Sequence, residues 1–347
     1  IGFAAELSGR QAELGVQERN GVRLAVDTIN ASGGVAGRRI ELIIRDDLGK
    51  PEGAKIAARE LINAKVVAII GHATSKQTEV ALPIADAAQV VMISPTTSSP
   101  QFSGASKYFF RVILSSLAKT QTFAGYIFQQ RGLKRIAVLY DNDNAAYAKT
   151  YAMDFFKTFQ SFGGKVIAEW GFASSANPDF ILELSKFRAD RADSLMIIAS
   201  DFDTAYIAQQ TRLLGWQVPL FTSSWAQTDM LINAGGRAVE GIELEQSYAI
   251  NPKTREYLHF KQQFLSRFGS TPSFGAALGY ETALVLASAL EKTGGNAKGL
   301  REALLNTRNF QGLVDSFSFD KNGDVVRPFY LGAVRNGEFM TIREHKP

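Results

Sequence analysis

At 347 residues, 46% apolar and 21% charged, the chain can fill two globular domains, and no apolar run approaches the roughly 18 residues of a membrane-spanning helix. Its net charge of +4 comes from 38 basic and 34 acidic residues with no basic block or arginine–aromatic stripe, which argues against nucleic acid as a partner. The absence of cysteine excludes disulfides, thiolate zinc sites and cysteine nucleophiles.

The chain opens inside an apolar strand, Ile1–Ala5, with no basic or hydrophobic leader ahead of it. Either the natural start is bare or a targeting segment has been removed. Short β-branched runs then alternate with longer amphipathic ones to about Phe221, the pattern of βαβ units and a parallel sheet. The strands expected are Ile1–Ala5, Ile40–Arg45, Val66–Ile70, Val90–Ile93, Ile136–Tyr140, Val166–Trp170, Leu195–Ala199 and Leu220–Thr222. Val22, Val26 and Ile29 form one helical stripe, Val80, Ile84 and Ala87 another, and Tyr151, Phe155, Phe159 and Phe162 a third. Gly33-Gly34-Val35-Ala36-Gly37 follows a helix and precedes a strand, the reverse of a dinucleotide fingerprint, and reads as a helix-ending turn. Asp46-Asp47 stands where a nicotinamide enzyme keeps its ribose-binding acid, but without that fingerprint the pair reads as capping or bracing the helix from Pro51.

The third and fourth strands each end in a hydroxyl cluster: Gly71-His72-Ala73-Thr74-Ser75-Lys76-Gln77-Thr78, and Ser94-Pro95-Thr96-Thr97-Ser98. Thr74 or Ser75 alone could be a plain helix cap. Two clusters separated by one βα unit place hydroxyls and free helix N–H groups at one sheet edge, an arrangement suited to an anion such as a carboxylate.

A Pro/Ser-rich connection, Ser94 to Ser106, leads through Tyr108–Val112 to a fresh helix from about Ser115, and a second domain repeats the architecture. The return is expected near Tyr248-Ala249-Ile250-Asn251-Pro252. From Pro252 to about Thr307 the chain reads as helical, with the stripe Tyr280, Leu284, Ala287 and Leu290. Strands Asp315–Phe319 and Val325–Val334 then flank Asp320-Lys321-Asn322-Gly323-Asp324, which lacks the closing glutamate of a calcium loop and reads as a hairpin turn. His72, His259 and His345 have no metal-ligand spacing, and no nucleophile elbow or phosphate loop occurs. No catalytic set, metal or cofactor is expected; His72 reads as a site-wall or structural residue.

Taken in order, Leu7-Ser8-Gly9, Leu14-Gly15, Arg19–Ala25, Ile29–Gly37, Asp46-Asp47, Gly71-His72, Ile93-Ser94-Pro95, Phe110-Arg111, Leu278-Gly279-Tyr280 and Phe319-Asp320 with Gly323-Asp324 resemble the leucine/isoleucine/valine-binding protein family. These are type I periplasmic binding proteins of ABC importers. The resemblance covers nearly the whole chain. It implies an α/β fold of two Rossmann-like parallel-sheet lobes joined by three crossovers, with lobe one at 1–118 plus 249–325, lobe two at 119–248 plus 326–347, and ligand trapped between them by hinge closure.

It further implies that a ligand carboxylate is held at Thr74, Ser75, Thr96, Thr97 and Ser98, with Leu14 near the apolar wall. Tyr147 matches a tyrosine that closes over the ligand, although it could equally begin the aromatic stripe of its own helix. One departure stands out. Where amino-acid-binding members place an acid for the ammonium, this chain reads Ser223-Ser224-Trp225-Ala226. Asp201 or Asp203, in Ser200-Asp201-Phe202-Asp203, could supply the acid or could cap the helix from Thr204. Otherwise the ligand has no amino group and Trp225 stacks on an apolar or aromatic body.

The expected function is that of a non-enzymatic solute-binding protein for a small carboxylate, either a hydrophobic amino acid or an aromatic acid. The expected partner is a membrane permease, the location periplasmic or extracytoplasmic, and the state a monomer. The alternative is the ligand-sensing domain of a receptor; a transcription-factor effector domain and a nicotinamide-dependent enzyme stand further off.

Overall fold

In the computed structural model, which describes residues 1–9, 12–249 and 252–345, the chain divides into two units. The first comprises residues 1–115 and 252–327, the second 116–251 and 328–346. Ile250 and Asn251 of the expected return lie outside the described residues.

The first unit begins β1 (Gly2–Ala5), α1 (Ala12–Ala31), β2 (Ile43–Asp46), α2 (Pro51–Asn63), β3 (Ala68–Gly71), α3 (Ser75–Ala87), β4 (Val91–Ser94) and β5 (Phe109–Arg111). The second runs through α4 (Ser116–Gly125), β6 (Arg135–Asp141), α5 (Ala145–Ser161), β7 (Lys165–Phe172), α6 (Ile181–Ala189), β8 (Ser194–Ile198), α7 (Asp201–Leu213), β9 (Leu220–Thr222), α8 (Asp229–Gly235) and β10 (Glu243–Gln246). The chain then returns to the first unit as α9 (Arg255–Phe268), α10 (Phe274–Lys292), α11 (Leu300–Leu305), β11 (Phe310–Gln311), β12 (Ser316–Phe319) and β13 (Val325–Val326). It closes in the second with β14 (Phe329–Arg335) and β15 (Glu338–His345).

The first sheet is parallel and ordered β2-β1-β3-β4-β5. The second repeats that order as β7-β6-β8-β9-β10, extended past β10 by the antiparallel pair β14-β15. In such an order the connections change direction between the first and third strands, so a crevice opens at their carboxyl ends. In the first unit that point lies between β1 and β3, and in the second between β6 and β8. Strands buried on both faces need apolar side chains throughout, which is why β3, β4 and β8 read as unbroken runs rather than alternations.

Within the first unit α1 and α10 approach unusually closely. A Cβ on Gly21 would stand 2.0 Å from the Ala276 carbonyl oxygen, and one on Gly279 2.6 Å from that of Glu18. This contact explains why Gly21 and Gly279 are glycine although both lie inside helices, where glycine is ordinarily unfavourable.

Several elements depart from the sequence reading. The strand expected over Val325–Val334 is two strands in different sheets, because Arg327-Pro328 interrupts it: Val326 pairs with Ser318, whereas Phe329 pairs with His345. Val326 and Arg327 accordingly belong to the first unit, whereas Ser116, Leu117, Ala118 and Ala249 belong to the second. Arg327 is anchored there on Glu281 at 2.7 Å and Asp315 at 2.8 Å. β5, β10, β11 and β15 were not expected; Glu243, Glu245 and Gln246 made β10 look polar, yet all four of its residues are buried. The buried face of α3 is Gln77, Thr78, Ala81, Leu82 and Ala85, with Val80 and Ile84 at its margin and Ala87 exposed. Asp320–Asp324 is a hairpin turn, in which Asp320 Oδ1 accepts from the backbone N–H groups of Asn322 and Asp324.

Replacing Gly21 with alanine normally favours a helix by about 1 kcal/mol. Here the added methyl collides with the backbone of α10, so Gly21→Ala is expected to lower unfolding stability by about 1–3 kcal/mol, read as a shift of the urea midpoint. A stabilised variant would show that the two helices do not approach as described.

Candidate functional site

In the first unit the loop after β3 and the loop after β4 are tied together by buried hydrogen bonds. His72, fully buried, places Nδ1 2.6 Å from Asp47 Oδ2 and offers its carbonyl to two hydroxyls, Ser94 Oγ at 2.7 Å and Thr97 Oγ1 at 3.1 Å. Ser94 Oγ in turn accepts from the backbone N–H of Thr97 at 2.9 Å, and Thr97 Oγ1 lies 2.7 Å from Thr78 Oγ1 on α3. Arg111, also fully buried, donates to the Ser99 carbonyl, Ser103 Oγ and Asp324 Oδ1, fixing the far side of the β4 loop. Asp47 therefore braces His72 and the Gly49 amide, while Asp46 accepts from Leu7 N and Ser8 Oγ in the loop after β1. Neither acid caps α2, whose cap position is Lys50.

The hydroxyls singled out from sequence now separate by task. Thr97 is committed to the scaffold. Thr74 occupies the cap position of α3, but its side chain makes no capping bond and its buried hydroxyl has no partner. Ser75 is buried, its Oγ 3.4 Å from the Ser99 amide, and Ser98 is buried beside it in sequence. The first N–H groups of a helix have no partner within it, so Thr74 and Ser75 stand at a helix end carrying partial positive charge at the carboxyl end of β3. Leu14, on α1, packs towards α10: its Cδ1 lies 2.7 Å from where a Cβ on Gly275 would stand.

Glu18 was not anticipated. It is 0% exposed on α1, and one oxygen contacts Thr96 Oγ1, which also lies 2.6 Å from the Ala73 carbonyl. Thr96 has one hydroxyl proton, which it can give to Glu18 Oε1 or to the Ala73 carbonyl but not to both at once. Burial pushes the Glu18 pKa up to about 8; the nearby charge of Asp47 adds to the rise and the Thr96 hydrogen bond opposes it. The only sequence signal was position: Glu18 lies one helical turn beyond Leu14 on the helix that follows β1.

In the second unit Tyr147, in the first turn of α5, is buried and meets Trp225 edge to face, with ring centroids 5.7 Å apart and planes at 89°. It meets Tyr151 at the same 5.7 Å, so it also heads the aromatic stripe of its helix. Burial, with the charge of Glu245, holds the Tyr147 hydroxyl well above its usual range. The acids proposed for an ammonium are occupied. Helix α7 begins at Asp201 rather than Thr204, and its cap is Ser200, whose Oγ donates to Asp203 Oδ2 and accepts from the Asp203 amide. Asp201 accepts from Thr228 Oγ1 at 2.5 Å and from the Phe202 amide.

Against the turn that carries Trp225 lies a pair invisible to sequence periodicity. Lys119, 0% exposed on α4, sits 3.0 Å from Glu245 Oε2 and donates to Ser247 Oγ at 2.6 Å and Ser224 Oγ at 3.2 Å. Glu245 Oε1 accepts from the Ser224 amide, fixing the turn that carries Trp225. Among the described residues no group of three or more histidine, cysteine, aspartate or glutamate side chains could hold a metal, and no helix is long and apolar enough to cross a membrane.

A family model described as periplasmic binding protein matches residues 1–338. Similar to this chain is a leucine-, isoleucine-, valine-, threonine- and alanine-binding protein of Pseudomonas aeruginosa, 24% identical over 100% of this chain and 90% of that protein. Among solved structures, a leucine-binding protein from Thermotoga maritima superposes with a TM-score of 0.93 at 26% identity, covering 100% and 98% of the two chains. A solute-binding protein of an ABC transporter from Rhodopseudomonas palustris, in complex with 3,4-dihydroxybenzoic acid, gives a TM-score of 0.89 at 25% identity, covering 99% and 96%. The chain belongs to the periplasmic binding protein family, in its leucine/isoleucine/valine-binding branch, and has the type I fold of two Rossmann-like units.

Two predictions follow from the buried charges. Folded Glu18 keeps its proton up to about pH 8, whereas the unfolded chain releases it near 4.5. Its contribution to stability is full below 4.5 and is lost as pH rises to about 8, so Glu18→Gln should gain on the native protein across that window, by at most about 5 kcal/mol. Paired melting curves from pH 4.5 to 9 measure this, and a constant difference would mean that Glu18 is ionised in the fold. Lys119→Met leaves Glu245 buried without its cation and should cost about 3–5 kcal/mol by urea unfolding, most of it recovered in Lys119→Met/Glu245→Met.

Proposed function

We propose that the protein is a non-enzymatic solute-binding component of an ABC importer that takes up a small carboxylate, a hydrophobic amino acid or an aromatic acid, by hinge closure. One observation carries this reading: the open N-terminus of α3, with the unpartnered Thr74 hydroxyl and Ser75, at the direction-reversal point of the first sheet. Uncharged O–H and N–H donors at a helix end stabilise an anion without bringing a competing counter-ion. The neutral state of Glu18 fits, because an ionised carboxylate against Thr96 would repel the ligand. Ser98 and Thr96 complete the proposed anion site of the first unit; in the second unit, taken by itself, Tyr147 and Trp225 form an aromatic surface. The names of the similar proteins, which concern branched-chain amino acids and a dihydroxybenzoate, support the same ligand class. A membrane permease is the proposed partner, the periplasm or another extracytoplasmic space the proposed location, and a monomer the proposed state.

A ligand that binds only the native state raises the melting temperature. In a panel of amino acids and aromatic acids, the carboxylates that shift the native protein are expected to lose that shift in Ser75→Ala/Ser98→Ala, with affinity reduced at least tenfold by calorimetry. An undiminished shift would remove the anion site from the first unit.

A further inference from the structure

We infer that carboxylate binding by the first unit is proton-linked, with Glu18 as the group that takes up and releases the proton. This rests on the anion-site reading above and adds its regulation. Thr96 Oγ1 stands between two acceptors, Glu18 Oε1 on α1 and the Ala73 carbonyl at 2.6 Å, and it has one proton to give. The backbone N–H of Thr96 donates to Ser94 Oγ at 3.3 Å, which ties the residue to the buried scaffold. Two arrangements follow. With Glu18 protonated, Glu18 donates to Thr96 and Thr96 to the Ala73 carbonyl, so one chain of hydrogen bonds joins α1 and the β4 loop to the residue just ahead of Thr74 and Ser75. With Glu18 ionised, Thr96 turns its proton to the carboxylate and the Ala73 carbonyl loses that donor. A negative charge then lies one hydroxyl away from the segment that opens α3.

No cation among the described residues pairs with that charge. Glu18 is fully buried, and its Oε2 has no hydrogen-bond partner. A Cβ on Gly275 would lie 3.5 Å from Glu18 Cγ, so α10 packs directly against the side chain. The buried acid of α10, Glu281, is paired with Arg327. Arg111 on β5 is held by Asp324 and the Ser99 carbonyl, and on α1 itself Arg19 donates to Asn20 Oδ1. Asp47 and His72, joined at 2.6 Å, come from the loops after β2 and β3. Burial is the main cause that pushes the Glu18 pKa up to about 8, and the Asp47 charge adds to it. An anion bound at the start of α3 disfavours the ionised form further. By reciprocity, the proton on Glu18 strengthens anion binding by the same factor.

The test is calorimetric titration of the native protein and Glu18→Gln with benzoate and L-leucine from pH 6.5 to 9, in two buffers of different ionisation enthalpy so that proton uptake is counted. Benzoate has no group that titrates in this window, so any proton taken up with it belongs to the protein. A carboxylate that binds the native protein is expected to bind about tenfold more weakly at pH 9 than at pH 6.5, taking up a proton at the upper end. In Glu18→Gln, whose amide keeps a donor to Thr96 without the charge, affinity should stay within about twofold across the window and the uptake should vanish. The inference is overturned if native affinity does not change with pH, or if the change survives in Glu18→Gln. Either result would leave the carboxylate reading standing. A native protein that binds neither probe, nor any other carboxylate, at pH 6.5 would remove the anion site and the proton link with it.

Discussion

The bond between His72 and Asp47, with the two hydroxyls that converge on the His72 carbonyl, holds the first unit's site together. Asp47 follows β2, His72 follows β3, Ser94 ends β4 and Thr97 lies beyond it, so one buried cluster ties the carboxyl ends of three strands into a single geometry. Arg111 secures the same loop from β5 and from the hairpin turn at Asp324. With Thr97 consumed in this scaffold, Thr74 and Ser75 at the open end of α3 are presented rather than absorbed. Presenting donors from a rigid frame lowers the ordering cost of binding.

The two units solve the charge problem differently. In the first, Glu18 is buried against Thr96, and desolvation raises its pKa to about 8. In the second, Lys119 is buried and paired with Glu245. Trp225 departs from the family pattern, and Asp201 and Asp203 beside it in the second unit are committed to Thr228 and to the Ser200 cap.

Much of this was legible in the residues. The alternation of short β-branched runs with amphipathic ones announced parallel βαβ units, because strands covered on both faces have to be apolar throughout. The hydroxyl clusters after β3 and β4 were visible because small polar residues break so sharply from buried strands. Less visible were β10, whose glutamates and glutamine are buried through partners distant in sequence, and the break at Arg327-Pro328, where proline and a buried arginine turn one apparent strand into two. The cap of α7 also misled by three residues: Ser200 and Asp203 satisfy each other, and sequence alone could not tell a capping pair from a pair awaiting a ligand.

The sequence by itself determined the fold class, the hydroxyl clusters at the ends of β3 and β4, and the absence of an acid at Trp225, because each depends on residue type and short-range order. Only the tertiary structure decided which hydroxyls remain available, that burial raises the Glu18 pKa to about 8, that Lys119 and Glu245 form a buried pair, and that the Gln227 amide is left without a hydrogen-bond partner. These are consequences of burial and of contacts between residues far apart along the chain. Low-dielectric surroundings and the one proton of a hydroxyl, neither of which is written in local sequence, set the outcome.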